Sequence, residues 1–281
     1  MIHTIRWLGQ DDCHHEAIVG GKAASLSRLA SVHAVPPGFA IAALPALADA
    51  MPAPLVSSIG DAYRVLGERC GGLEPAVAVR SSAVDEDGAE ASFAGQHDTY
   101  LNIRGAAAVV AAVLRCAQSA ASPEARSYRE QRGLSVGDLR IAVLVQQLVP
   151  SDVSAVVFSA NPVTGDRHEV MINSNWGLGE SIVGGCATPD TFVVRKQALE
   201  VSWRDVARKE RMTVMGDTGT REVEVPTELQ STSSLSDDEI LQVAQLAIML
   251  EKAVGHAVDV ECAIARNTLY LLQCRPITTL G

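Results

Sequence analysis

Aromatic side chains are scarce in this chain, at 4% of 281 residues, so any core it builds must be aliphatic. Basic charge is also short, with 23 Lys and Arg against 33 Asp and Glu and a formal net charge of −10. Nucleic-acid proteins ordinarily carry a basic field, which argues against a nucleic-acid partner. An anionic small ligand stays open, because a few local cations suffice to bind phosphate. No apolar run approaches the ~18 residues of a membrane-spanning helix, so no membrane role is expected. The stretch Met1-Ile2-His3-Thr4-Ile5-Arg6-Trp7 lacks the apolar run of a secretory signal. Cysteines at 13, 70, 116, 186, 262 and 274 form no CxxC pair and no zinc spacing with histidine. They read as small core fillers in a reducing cytoplasm, with Cys186, in a glycine-rich stretch, as the alternative candidate for a reactive thiol. What is plentiful is aliphatic bulk: 47% of residues are hydrophobic. A chain of this length can bury roughly three quarters of its unfolded surface, which rules out disorder.

Helix and strand signals alternate from end to end, the pattern of an α/β or α+β chain. Gly20-Gly21 precedes Lys22 and an Ala/Ser/Leu stretch to Ala30, a glycine loop opening a helix. Pro36-Pro37-Gly38 closes that unit. Residues 42–75 are Ala- and Pro-rich with helical pieces. Ala76 to Val79 predicts a short buried strand with Arg80-Ser81-Ser82 at its end. Helices are expected over 106–120 and 123–132, strands over 141–149, 153–159 and 169–172. Asn161-Pro162-Val163-Thr164-Gly165-Asp166 is turn chemistry, and Trp176-Gly177-Leu178-Gly179-Glu180 is a second glycine loop. Ser236 with Glu239 forms a capping box for a helix that Gly255 stops.

Near the C-terminus Val258, Val260, Cys262 and Ile264 alternate with Asp259, Glu261 and Ala263. After Arg266-Asn267-Thr268, Tyr270, Leu272 and Cys274 alternate with Leu271, Gln273 and Arg275. Placing the apolar side chains of both strands on one face requires opposed residue numbers with an even sum. A three-residue connection at 266–268 makes that sum 534, which sets Glu261 opposite Gln273 and Asp259 opposite Arg275. Two readings follow. The patch is an ordinary solvated face with a surface ion pair worth little, or it is a metal–phosphate platform. In the second, a carboxylate and an amide oxygen serve as hard ligands for Mg²⁺, and Arg275 offers a fork to phosphate.

Lys22 after two glycines stands where positive charge opposes a helix dipole, a mild cost that an anion would offset. This is no Walker loop: Glu16 occupies the place of the first glycine and Ala23 that of the Ser or Thr. Arg80 closes a buried strand ahead of two hydroxyls. Singly, these signals are weak. Together they stand in a long ordered series: Gly20-Gly21-Lys22-Ala23-Ala24-Ser25-Leu26, Val35-Pro36-Pro37-Gly38-Phe39, Val79-Arg80-Ser81-Ser82-Ala83, and Ala91-Ser92-Phe93-Ala94-Gly95-Gln96-His97-Asp98-Thr99-Tyr100. Val145-Gln146-Gln147-Leu148-Val149, Asn161-Pro162-Val163-Thr164-Gly165, Trp176-Gly177-Leu178-Gly179-Glu180, Thr188-Pro189-Asp190, Asp259-Val260-Glu261 and Leu272-Gln273-Cys274-Arg275-Pro276 complete it. The series resembles the ATP-binding domain of the phosphoenolpyruvate synthase, pyruvate phosphate dikinase and rifampin phosphotransferase family, over nearly the whole chain.

The resemblance implies an α+β fold of ATP-grasp type, a two-lobed nucleotide clamp with mixed or antiparallel sheets and flanking helices, its lobes near 1–140 and 141–281. It implies ATP and Mg²⁺ as ligands. Lys22 and Arg80 match the phosphate-clamping cations; Gly95, Thr99 and Tyr100 match the loop that closes over the phosphates. Gln146, rather than Gln147, matches a contact on the adenine side. Glu261 and Gln273 match the magnesium ligands, and Arg275 the phosphate-side arginine, so the platform reading of the hairpin is the one adopted. Family enzymes cleave ATP to AMP, pass the β-phosphate through a carrier histidine and release the γ-phosphate. The histidines at 3, 14, 15, 33, 97, 168 and 256 include none in the Gly/Ser/Thr-His setting of such a carrier, and His97 reads as structural. The expected partners are therefore a separate phosphohistidine carrier and substrate-binding domain or protein, with a small-molecule acceptor. The stretch 42–75 looks shorter than its counterpart in the family. The alternatives are a stand-alone ATP-grasp kinase or ligase acting directly on a small molecule, and a non-catalytic ATP/AMP-binding module.

Overall fold

The structure, a computed structural model, describes residues 5–45, 50–82, 99–119, 140–185 and 187–277. The expected helix over 123–132, together with Gly95, His97 and Cys186, lies outside them. The chain divides into two compact units: Met1–Val32 with Pro36–Leu148 and Asp217–Gly219, and His33–Val35 with Val149–Gly216 and Thr220–Gly281. The class is α+β, and every pairing between named strands is antiparallel.

The first unit is built on a sheet of order β1-β2-β5-β3-β4, from β1 (Ile5–Trp7), β2 (Gly38–Pro45), β3 (Val77–Ser82), β4 (Thr99–Ile103) and β5 (Arg140–Gln147). Its two faces differ in side-chain size, and that difference decides what covers them. Phe39, Ile41, Val77, Val79, Ile141, Val143 and Val145 form one core with helices α2 (Ala53–Arg69) and α3 (Ala106–Ser119). Those helices present Ile59, Ala62, Tyr63 and Leu66, and Val109, Ala112, Val113 and Cys116, at helical spacing. The opposite face carries the smaller Ala40, Ala42, Ala78 and Ala142 beside a single large Leu144, all buried. Helix α1 (Glu16–Leu29) lies there, with Val19, Ala23, Ala24 and Leu26 buried.

The second unit holds a sheet of order β13-β12-β6-β7-β8-β9 and a separate β10-β11 ribbon. Its strands are β6 (Val153–Phe158), β7 (Glu169–Trp176), β8 (Asp190–Arg195), β9 (Glu200–Asp205), β10 (Arg211–Met215), β11 (Thr220–Glu224), β12 (Val258–Ala265) and β13 (Thr268–Pro276). A one-turn helix, α4 (Glu180–Val183), follows β7. Helix α5 (Asp237–Val254) buries Ile240, Val243, Ala244, Ala247 and Leu250. It begins at the expected capping box of Ser236 and Glu239 and ends at Gly255, with φ of 82°. None of the four strands between 190 and 224 was anticipated: β9, an edge strand exposed along nearly its whole length, has no buried face to pattern, whereas β8 carries the buried run Phe192-Val193-Val194 and was overlooked. Contrary to the expectation that no histidine follows Gly, Ser or Thr, Gly255 precedes His256. That glycine is the helix cap, and His256 Nδ1 lies 3.2 Å from the Ala257 carbonyl, so the pair serves helix termination.

Cys13, Cys116, Cys262 and Cys274 are buried thiols. Burial pushes Cys13 up to about 11 and Cys262 up to about 12, which suits filler rather than nucleophile. Among the described residues no helix is long and apolar enough to cross a membrane.

Candidate functional site

In the first unit the glycine–lysine segment is built by a break in α1. Gly20 adopts φ 76° and ψ 166°, so the helix restarts at Gly21 and Lys22 falls in the first turn of the new segment. The break brings backbone against backbone: a Cβ on Gly20 would lie 1.7 Å from the Ser82 carbonyl oxygen and 2.5 Å from its Oγ. Ser82 Oγ in turn accepts the Ala23 N–H at 3.1 Å, capping the restarted helix from another strand. Ser82 therefore points to the α1 face of the sheet, and Arg80, two residues earlier in β3, shares that face. Lys22 and Arg80 are both half-buried. The helix start adds donor N–H groups and a positive dipole end beside Lys22, a setting that favours an anion.

Strand pairing separates the two loop residues described at 99 and 100. Thr99 sits opposite Arg80 on the α1 face, whereas Tyr100 sits opposite Val79. The Tyr100 ring packs on the helical core with the Arg115 guanidinium 4.4 Å above its centroid, so the structure does not bring it beside Arg80. Gln146 is 2% exposed and donates from Nε2 to the Pro36 carbonyl at 3.1 Å. The Gln147 N–H bonds the Pro37 carbonyl at 2.9 Å. The Pro-Pro-Gly and Gln-Gln motifs thus lock one another, and one amide N–H of Gln146 is committed within the protein.

In the second unit the hairpin reaches the expected pairing by a different route. The connection has two residues, Arg266 and Asn267, with φ of 49° and 61°, the left-handed pair of a tight hairpin turn. Near the turn the opposed numbers sum to 533, as in Ala265 with Thr268 and Cys262 with Leu271. A β-bulge between Glu261 and Cys262 then inserts Leu272 and restores 534, setting Glu261 opposite Gln273 and Asp259 opposite Arg275. The bulge also corrects the face assignment. Leu271 enters the main core beside Cys262, while Tyr270 and Leu272 pack with Val149, Ala263 and Ala265 in a small cluster on the other face.

Registers carried across the sheet put two rows on the face away from α5. One runs Arg275, Asp259, Phe158, Met171, Val193, Trp203; the other runs Gln273, Glu261, Val156, Asn173, Thr191, Asp205. Arg275, Asp259, Gln273 and Glu261 gather at the β12–β13 end, half-buried Val156, Phe158 and Met171 form an apolar strip beside them, and Asn173, which accepts from Thr191 Oγ1 at 3.0 Å, and Asp205 follow farther along. Sequence reasoning missed that strip, because only strand order shows that these residues neighbour Glu261. Asp259 Oδ2 accepts from Arg275 Nε at 2.9 Å and from Nη2 at 2.7 Å. Burial raises the Asp259 carboxyl above its ordinary range, against the lowering effect of Arg275. Glu261 and Gln273 are directly opposed strand residues, a pairing that holds the two Cβ atoms about 5 Å apart. As a donor set they fit Mg²⁺, which takes few protein oxygens and keeps the rest of its shell for phosphate and water.

Two other motifs of the series act as fasteners. Gly177, at φ 75°, would put a Cβ 2.3 Å from the Thr213 carbonyl oxygen, and Leu178 N–H bonds that carbonyl at 2.8 Å. The glycine loop thereby holds the β10–β11 ribbon. Asp190 is fully buried and accepts from Lys209 Nζ at 2.6 Å, from Ala207 N–H, and from both Ser234 N–H and Oγ at 2.7 Å. With Lys209 equally buried, the pair ties β8 to two loops.

A family profile described as "Pyruvate phosphate dikinase, AMP/ATP-binding domain" matches residues 45–281. That span includes Arg80, Glu261, Gln273 and Arg275, while Lys22 precedes it. The chain is 46% identical over 231 residues to a probable phosphoenolpyruvate synthase of Methanocaldococcus jannaschii, covering 82% of this chain and 19% of that protein. It is 40% identical over 239 residues to the phosphoenolpyruvate synthase of Pyrococcus furiosus, covering 82% of this chain and 29% of that protein. The chain therefore spans less than a third of either relative. Among solved structures it resembles D-alanyl-alanine synthetase A of Vibrio cholerae at 11% identity, over 90% of this chain and 54% of that one. The TM-score of 0.37 is too low to bear on the fold.

Proposed function

The chain belongs to the pyruvate phosphate dikinase AMP/ATP-binding domain family, and from that premise we propose that it is the Mg-ATP-binding component of a dikinase-type phosphotransferase. It would cleave ATP so that AMP leaves, the β-phosphate passes to a histidine on a separate carrier domain or protein, which serves a small-molecule acceptor, and the γ-phosphate goes to water as inorganic phosphate. The observation that carries this reading is the Glu261–Gln273 pair beside the Asp259–Arg275 pair on one sheet face, in a chain of this family. Glu261 and Gln273 would hold Mg²⁺, which supplies charge neutralisation on the phosphate oxygens when bound. Lys22, Arg80 and Arg275 would orient and neutralise the polyphosphate, so that most of the protein's contribution is positioning and electrostatics. Gly95 belongs to the covering loop in this reading, and Thr99, on the face of Arg80, and Tyr100, on the core side, follow it in β4. Gln146 would contact the adenine side. Site and reaction are of the ATP-grasp kind, in a soluble cytoplasmic setting.

Calorimetric titration with Mg-ATP tests the first half. Wild type should bind, and Glu261→Ala should lose the metal-dependent part of the affinity. Incubation with a histidine-bearing domain of a full-length relative should then yield AMP and inorganic phosphate. ADP as the sole product would overturn the dikinase assignment in favour of a direct kinase or ligase. Binding without any turnover would favour an ATP- or AMP-responsive module.

A further inference from the structure

We propose that Asp259 is the positioning residue for Arg275, holding its guanidinium in the orientation that meets phosphate; this rests on the reading of Arg275 as a phosphate ligand. The two residues are directly opposed in the β12–β13 register and share the face of Glu261 and Gln273. Asp259 is 7% exposed and therefore has little freedom of its own. Its Oδ2 takes Nε and Nη2 together, which fixes the plane of the guanidinium as well as its distance. Arg275, with a side chain 35% exposed, remains reachable by a ligand. An arginine with its plane already fixed loses less conformational entropy when it bonds phosphate. The same contacts argue against Asp259 as a third metal ligand, since the oxygen facing the guanidinium is already taken. Sequence spacing invites the opposite conclusion, because Asp259 and Glu261 stand at i and i+2 on one strand face.

The test compares ATP and AMP affinities of the full chain by calorimetry, with the Mg²⁺ midpoint for ATP binding measured alongside. Asp259→Ala should weaken ATP roughly tenfold or more, the range of a lost charge-assisted bond, and should change AMP affinity much less. Arg275→Lys keeps the charge but not the paired N–H geometry, and should match Asp259→Ala. The double variant Asp259→Ala/Arg275→Ala should be no weaker than Arg275→Ala alone. Asp259→Asn, which keeps an oxygen acceptor in place, should recover part of the loss and leave the Mg²⁺ midpoint unmoved. Should Asp259→Ala fail to fold, Asp259→Asn and Arg275→Lys carry the comparison. Additive losses, equal weakening of ATP and AMP, or a Mg²⁺ midpoint shifted as in Glu261→Ala would each overturn the positioning role. If Arg275→Ala leaves ATP binding intact, the assignment of Arg275 to phosphate falls instead; if it weakens ATP while the Asp259 variants do not, only the positioning role falls.

Discussion

Adding one methyl group at Gly20 should unseat the segment that carries Lys22. Gly20 sits at φ 76° and ψ 166°, a region open essentially to glycine alone, and forcing alanine into it costs on the order of 1–3 kcal/mol. The new Cβ would also lie 1.7 Å from the Ser82 carbonyl oxygen. Ser82 ends a strand hydrogen-bonded to β5, so the helix must give way, by more than about 1 Å to reach ordinary contact. That movement breaks the Ser82 Oγ bond to Ala23 N–H, a further loss of about 1 kcal/mol. Together the terms come to roughly 2–4 kcal/mol, and at about 2–4 °C per kcal/mol the first unit should melt some 5–15 °C lower. Circular dichroism melts of Gly20→Ala and of Gly255→Ala make the comparison, because Gly255 has a similar φ of 82° but nothing within 4 Å of its would-be Cβ. The control should lose only about 1 kcal/mol. A Gly20→Ala melt within about 2 °C of wild type, or no lower than the control, would refute the close-approach account.

Asp190→Ala should be among the most damaging single changes in the second unit, since it strands the buried Lys209 cation; a loss of about 3–5 kcal/mol is expected, read as a fall in the denaturant midpoint. The paired replacement Asp190→Leu with Lys209→Met should recover most of that loss, and a double variant as unstable as the single one would count against the pair as the cause. Arg266→Asn should raise stability by about 0.5–1 kcal/mol, because asparagine tolerates the left-handed conformation that Arg266 holds at φ 49°. A lowered midpoint at unchanged m-value would contradict the two-residue turn.

The hairpin shows how far linear reasoning reaches. Alternation alone puts Asp259, Glu261, Gln273 and Arg275 on one face, because a period of two leaves a strand with only two faces to choose between. The same alternation misassigns Tyr270 and Leu272, since a bulge breaks the period without leaving a mark in composition. Helix α5 was legible at both ends because its caps are local chemistry: Ser236 and Glu239 bond within one turn, and Gly255 answers only to its own backbone angle. Helix α3 was legible for a related reason, its apolar residues recurring at the helical period, whereas α2 was seen only as helical pieces within the Ala- and Pro-rich stretch 42–75.

Composition and order of residues by themselves determined the aliphatic core, the α+β class, the capped helices and the family likeness, all of which depend on local pattern or on motif succession. Only the tertiary structure decided that Gly20 is a contact with Ser82, that Tyr100 turns to the helical core while Thr99 shares a face with Arg80, that Asp190 buries a lysine, and that Phe158 and Met171 lie in a row with Asp259. Each of these joins residues far apart in the chain. Their meeting is set by strand order and by which face of a sheet a helix covers, and a sequence read along its length records neither.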